Sequence, residues 1–224
     1  MPPLPSLTNA ELPVVTIVTT VYNGERYIAE CMRSVFDQNY KNIDYLIIDA
    51  GSTDGTVGKV LSFRPQPFRL ISEKDSGLFD GMNKGINNAL GEFIIFLHAD
   101  DFFVSPESLS RLVTEIATTG GEKWGFGFYK FVNSTGQTIR VDSAGKAGKI
   151  TLSTMLIRNV VRHQAALIST SLARRHPFSP VFKRALDYDH FLRIWEDAGP
   201  PIIVPAIISG FRVSGTSLSS NFEA

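Results

Sequence analysis

The sequence predicts an α/β fold with a mostly parallel central sheet flanked by helices. Three observations predict it. Apolar, β-branched runs alternate with helically spaced segments through residues 1–118, the order that builds parallel strands joined by right-handed crossovers. The loops that follow those runs are rich in Gly, Ser and Asp. Near residue 120 the alternation gives way to hairpin-like segments, which predicts a smaller β/α portion in the C-terminal half.

The elements follow in order. Residues 1–12 are Pro-rich and read as a lead-in. Val14–Val21 is a β-branched run suited to a buried strand. Glu25–Gln38 places Ile28, Met32, Val35 and Phe36 on one helical face. Tyr45–Ile48 is a second strand, and Asp54 is the N-cap of a helix reaching about Phe63. Phe68–Ser72 is a third strand, Leu78–Leu90 a helix stopped by Gly91, and Phe93–Leu97 a fourth strand. Ser105 caps the next helix, with Pro106 at its first position, where a missing N–H is harmless. Trp124–Val132 and Gln137–Asp142 flank Asn133-Ser134-Thr135-Gly136 and form a hairpin. His163–Ser169 reads as a strand, Leu186–Asp197 as a helix, and Ile202–Val213 as one or two closing strands. Segments 143–162 and 206–224 are expected to supply acceptor-side loops. The whole chain is read as one domain, with 1–118 its ligand-binding half and 119–224 its acceptor-side half.

Composition narrows the function classes. Of 224 residues, 43% are hydrophobic and 20% charged, enough to bury a core. Lys plus Arg and Asp plus Glu number 22 each, so charge gives no reason to expect a nucleic-acid partner. Cys31 stands alone, which excludes an intrachain disulfide or a multi-cysteine metal site and fits a reducing compartment. The start lacks the basic and apolar regions of a signal peptide. The apolar stretch 200–208 is interrupted by proline and too short to span a bilayer. These features predict a cytoplasmic protein.

In an open parallel sheet, ligands bind beyond the carboxyl ends of the strands. The segments there are Thr20-Val21-Tyr22-Asn23-Gly24, Asp49-Ala50-Gly51-Ser52-Thr53-Asp54-Gly55, Glu73-Lys74-Asp75-Ser76-Gly77 and His98-Ala99-Asp100-Asp101. Asp100 and Asp101 are adjacent carboxylates after a buried strand and need a compensating cation or basic group. Oxygen ligands select Mg²⁺ or Mn²⁺; the alternative is a helix cap, a role Ser105-Pro106 already fills. Asp49 suits a bond to a base or ribose, or plain turn chemistry. Asp187 and Asp189 open the last helix, where the dipole favours their charge; a general base is the functional alternative. His163, Gln164 and Arg212 are weaker candidates. Neither a G-x-G-x-x-G fingerprint nor a phosphate-binding P-loop is present, which argues against a dinucleotide oxidoreductase or a P-loop NTPase.

Together these segments resemble the family 2 glycosyltransferases, inverting enzymes of the GT-A fold. The resemblance runs from Pro13 to about Ser217. It rests on Val18–Asn23, Asp49–Thr56, Asp75–Gly85, Gly91-Glu92, Phe96–Asp101, His163-Gln164 and Asp187–Asp189. Asp75–Gly85 is particularly similar to the bacterial subgroup that builds surface polysaccharides such as colanic acid. The resemblance implies that Thr20, Tyr22 and Asn23 line the nucleotide pocket and that Asp49 bonds the base. It implies that Asp75 and Lys84 complete the nucleoside site. Asp100 would touch ribose or metal, Asp101 the Mn²⁺ or Mg²⁺ bridging the diphosphate, and Asp187 would be the base. His163, Gln164 and Arg212 would lie near donor phosphates or acceptor. The implied donor is a nucleotide sugar, with uridine the favoured base. The implied acceptor is a saccharide or lipid-linked sugar, which allows peripheral contact with the inner face of the cell membrane. Two departures stand out: His98 occupies the usual first carboxylate of the Asp-x-Asp motif, and Leu186 precedes the base where an acidic residue is common. A degenerate, non-catalytic nucleotide- or glycan-binding module and a sugar nucleotidyltransferase are the competing expectations.

Overall fold

The computed structural model describes residues 12–117, 121–142, 150–157, 159–182 and 185–213. Its nine strands form one sheet. β1 (Val15–Val21), β2 (Ile43–Asp49), β3 (Arg69–Ser72) and β4 (Phe93–Phe96) are parallel, in the order β3-β2-β1-β4. Beyond β4 the sheet continues with β8 (Ala166–Ser169), β6 (Trp124–Val132), β9 (Ile202–Arg212) and the two-residue β5 (Phe102–Phe103), while β7 (Thr138–Asp142) pairs with β6. β8 runs antiparallel to β4, with Phe93 opposite Ser169 and Ile94 opposite Ile168.

The strands are apolar on both faces because helices cover both. Val15, Ile17, Ile47 and Ile95 pack with Ile28, Met32 and Val35 of α1 (Ile28–Phe36), Val60 of α2 (Thr56–Leu61) and Leu109 and Leu112 of α4 (Ser108–Ile116). Val18, Leu46, Ile48, Ile94 and Phe96 point the other way. They meet Met82 and Ile86 of α3 (Leu78–Asn88), Met155 of α5 (Leu152–Ile157), Leu172 of α6 (Thr170–Arg175) and Phe191 and Ile194 of α7 (Leu186–Ala198). Each such side chain, removed from water, contributes about 1.5–3 kcal/mol. α3 approaches β1 closely because Gly85 has no side chain: a Cβ there would lie 2.5 Å from Val18 Cγ1.

Several expectations shift. The helix after β2 starts at Thr56 with Gly55, not Asp54, as its N-cap; Asp54 Oδ1 accepts the Thr56 N–H at 3.0 Å from one residue further out. Ser105 Oγ accepts the Glu107 N–H, and the Ser105 N–H is returned to Ser108 Oγ, both at 3.2 Å. The expected strand at 163–169 is a strand only from Ala166; His163–Ala165 is a single 3-10 turn closed by the Ala165 N–H on Arg162 O. The expected loop at 206–224 is corrected over 206–212, which belongs to β9. β9 is one strand whose register against β6 slips between Val204 and Ile207, where Pro205 has no N–H to give. Residues 1–11, 143–149 and 214–224 lie outside the described residues.

Two outcomes follow. Gly85→Ala should lower the urea midpoint, by about 1–3 kcal/mol of overpacking against Val18, although alanine is the better helix former; an unchanged or raised midpoint would contradict this packing. His190, fully buried, donates its Nδ1–H to His176 O at 2.7 Å and stacks on Phe178. Burial lowers it to about 4. Between pH 6.5 and 4 the unfolded chain therefore binds more protons there, so stability falls as pH falls through that window. His190→Phe should show a smaller loss of thermal midpoint between pH 7 and 4.5; an equal loss refutes the assignment.

Candidate active site

β1, β2 and β3 end level with one another, and β4 ends opposite Val18 of β1. Val21 is opposite Asp49 and Asp49 opposite Ser72. The chain after β4 stays beside β1, with the Leu97 N–H on Val18 O and the Ala99 N–H on Thr20 O. Four loops therefore share one sheet edge.

At the β1–β2 end, Tyr22 is 63% exposed. Asn23 sits in the left-handed region at φ 50°, which asparagine tolerates. Its N–H donates to Ser52 Oγ at 2.8 Å and its Oδ1 accepts the Thr53 N–H at 2.9 Å, latching the two loops. Asp49 is fully buried, and its carboxylate accepts Ser72 Oγ at 2.6 Å and the N–H groups of Gly51 and Ser52. Its oxygens thus hold the turn. On the next loop, Asp75 Oδ1 accepts the Gly77 N–H at 3.0 Å. Lys84 donates to Lys74 O and pairs with Glu73 at 2.9 Å, fastening that loop to α3.

The loop after β4 carries the charged centre. Asp101 is 1% exposed; its Oδ1 accepts the Arg212 N–H at 3.2 Å and its Oδ2 is buried with no partner among the described residues. Burial, then repulsion from Asp100, pushes the Asp101 acid well above the usual carboxylate range, and burial raises Asp100. An orphaned buried carboxylate oxygen beside a second carboxylate fits a hard divalent cation. Among the described residues no three His, Cys, Asp or Glu side chains converge as a complete metal site, so a cation here would draw further oxygen ligands from water or phosphate. Arg212 lies against this loop, but its guanidinium is committed. Nε donates to Asp100 O, one terminal nitrogen to Asn133 O and Ser134 O, and the other to Glu30 Oε2 at 2.7 Å, with Tyr27 beneath the plane.

The antiparallel return of β8 brings residues 162–165 to the same edge. The His163 ring lies 4.1 Å from that of His98. His98 Nδ1 is 2.6 Å from Thr20 Oγ1, and His163 Nδ1 is 2.7 Å from Asp187 Oδ2 in the first turn of α7. Burial opposes the Asp187 charge, but His163 as charge and as donor outweighs it, and the acid falls to about 2. Burial, then His163, hold His98 well below the ordinary imidazole value, so it is neutral at pH 7. Gln164 is fully buried beside His163, and neither amide atom has a partner among the described residues. Asp189, one turn-face away, is spent on Arg193. Of the candidates named from sequence, Thr20, Asp100, Asp101, His163 and Asp187 thus gather at one edge; Arg212 supports it from behind. His98 was legible only as a motif departure, although its place between Leu97 and two carboxylates is a signal for a site residue.

The family model described as glycosyl transferase family 2 matches residues 16–177. A glycosyltransferase of Mycobacterium tuberculosis without assigned activity is 29% identical over 91% of this chain and 76% of its own length. The Escherichia coli UDP-Glc:alpha-D-GlcNAc-diphosphoundecaprenol beta-1,3-glucosyltransferase WfgD is 29% identical over 93% of this chain and 80% of its own. In fold, the chain is similar to Staphylococcus aureus TarS in complex with UDP-GlcNAc, at TM-score 0.74 and 17% identity over 94% of this chain. It is also similar to the mannosyltransferase PcManGT of Pyrobaculum calidifontis in complex with GDP-Man and Mn²⁺, at 0.67 and 18% over 93%. The chain spans 61% and 59% of those two chains. No helix among the described residues is long and apolar enough to cross a membrane.

The buried Arg212 network yields its own test. Arg212→Met removes bonds to Glu30 and three carbonyls, and should destabilise the fold by about 2–4 kcal/mol in denaturant titration. A loss below about 1 kcal/mol would show that these bonds are not structural.

Proposed function

The chain belongs to glycosyl transferase family 2, an enzyme family that moves a sugar from a nucleotide-sugar donor, and from that premise we propose an inverting, cation-dependent transfer from a uridine diphosphate sugar to a saccharide or lipid-linked acceptor. The observation that carries the reading is the shared edge: an ionised base, Asp187, reaches the Thr20 loop through His163 and His98, beside the Asp100-Asp101 pair. In this reading residues 1–118 bind the donor and residues 119–224 face the acceptor, as one domain.

Thr20, Tyr22 and Asn23 line the nucleotide pocket, with exposed Tyr22 free to stack on the base. Asp49 shapes the base pocket through the turn it holds. Asp75 and Lys84 close the nucleoside side. Asp100 and Asp101 would hold a Mn²⁺ or Mg²⁺, which would supply positive charge to offset the negative charge developing on the leaving nucleotide. Asp187 is ionised at neutral pH and takes the acceptor hydroxyl proton as the hydroxyl oxygen attacks the anomeric carbon. Attack opposite the leaving diphosphate inverts that centre with one base. His163 and Gln164 lie beside the base, and Arg212 braces the Asp100-Asp101 loop.

A lipid-linked acceptor is supported by an apolar edge next to the base. Leu156 and Ile157 of α5 are 59% and 85% exposed. Tyr188, adjacent to Asp187, donates its hydroxyl to Leu156 O at 2.8 Å. This arrangement suits peripheral contact at the cytoplasmic membrane face in polysaccharide assembly.

Thermal unfolding with UDP, GDP, dTDP and CDP, each with and without Mn²⁺, should give a rise with UDP that needs the metal. A hundredfold excess over the dissociation constant adds about 2.7 kcal/mol; no rise with any nucleotide would overturn the donor assignment. Asp187→Asn should cut transfer by about 10²–10⁴-fold while leaving UDP binding nearly intact. Normal turnover would remove Asp187 as base.

A further inference from the structure

His163 and His98 occupy places that the donor reading alone does not explain. Asp187 is ionised and can only accept, so His163 Nδ1 is the donor in their 2.7 Å bond. That bond engages Oδ2. Oδ1 carries no hydrogen bond to any described residue, and the side chain is 15% exposed. One oxygen is therefore held and the other is presented. The His163 ring is itself confined: its side chain is 9% exposed, and His98 packs on it at 4.1 Å with a 53° tilt. His98 is fixed in turn by Thr20 Oγ1 at 2.6 Å. The two Nε2 atoms are buried with no hydrogen-bond partner among the described residues. Among the described residues, the ring contact and the two Nδ1 bonds are the polar and stacking contacts that orient them.

We propose that His163 is the positioning residue of the Asp187 base and that His98 is the clamp that keeps the His163 ring in register. The chain Thr20–His98–His163–Asp187 joins the nucleotide loop of β1 to the base on α7. It also accounts for the imidazole at position 98. A carboxylate there would sit against the His163 ring and compete with Asp187 for it. The flat His98 imidazole packs on the His163 ring without bringing a second carboxylate to it. A base held to a fraction of an ångström supports attack geometry that a swinging carboxylate loses.

The inference rests on Asp187 being the base, and the test separates the two. Nucleotide release into water would be measured with Mn²⁺ for UDP-glucose, UDP-galactose, UDP-GlcNAc and GDP-mannose. His163→Ala should lower kcat about 10–100-fold, in the range of other orienting partners, with donor KM and the UDP-induced thermal shift retained. His163→Asn, whose amide can replace the Nδ1 donor, should recover most of that loss. His98→Asp should lower kcat in the same way. In the double variant His163→Ala/Asp187→Asn, release should equal that of Asp187→Asn alone. Additive losses, or full kcat in His163→Ala, overturn the positioning role while leaving the base intact. Full release by Asp187→Asn, or no release from any donor by the parent chain, overturns both. The bond is also visible without turnover. The parent should show a strongly downfield His163 Nδ1 proton that Asp187→Asn shifts upfield; its absence from the parent overturns the proposal.

Discussion

One pairing governs the site: β8 lies antiparallel against the free side of β4. β1 occupies the other side of β4 in parallel, so the carboxyl end of β4 faces the start of β8. Residues 163–165 are thereby set beside residues 98–101, and α7 can place Asp187 on His163. Had β8 run parallel, its first residues would lie at the opposite end of β4, and base and donor loop would never meet. In the proposed reading, the sheet's change of direction at this strand lets donor and acceptor meet at one edge.

The edge is electrostatically expensive and the rest of the fold offsets it. Asp100, Asp101 and Asp187 are carboxylates with little access to water, and burying unpaired charge is strongly unfavourable. Asp187 is compensated by His163. Asp101 is compensated only by the Arg212 backbone N–H and the nearby guanidinium, and it keeps one orphan oxygen. The uncompensated remainder is what a cation with diphosphate would complete. Around it the scaffold is rigid: apolar packing on both faces, the Asn23–Thr53 and Asp49–Ser72 latches, and the reciprocal pair of bonds between Asn83 and the backbone of Phe178. Rigidity of this kind keeps charge where a transition state needs it.

Much of this was legible in the sequence. The first four strands, their helices and the convergence of their loops followed from alternation and from where Gly and Asp fall, because parallel strands buried on both faces leave continuous apolar runs. The hairpin and α7 were equally plain. The 3-10 turn at His163–Ala165 was not, because HQAALIS has the apolarity of a strand and its first residues leave the ladder only for tertiary reasons. The slip in β9 was signalled by Pro205, but its extent depends on β6. In the site, Asp187 and the Asp100-Asp101 pair could be named. Their surroundings could not: Asp49 spent on its own turn, Arg212 spent on Glu30, and the His98–His163 contact all join residues far apart in sequence through side-chain geometry that no spacing encodes.

The central claim is that nucleotide, cation and base meet at this one edge. Its most direct test is a crystal structure of the chain grown with UDP and Mn²⁺, using the anomalous signal of manganese to locate the ion. The account predicts a manganese peak bonded to Asp100 or Asp101 and to the diphosphate, at a hard-cation distance of roughly 2.1 Å, with the base beside Tyr22. A UDP diphosphate bound away from the Asp100-Asp101 loop, or manganese at another group of residues, would contradict it.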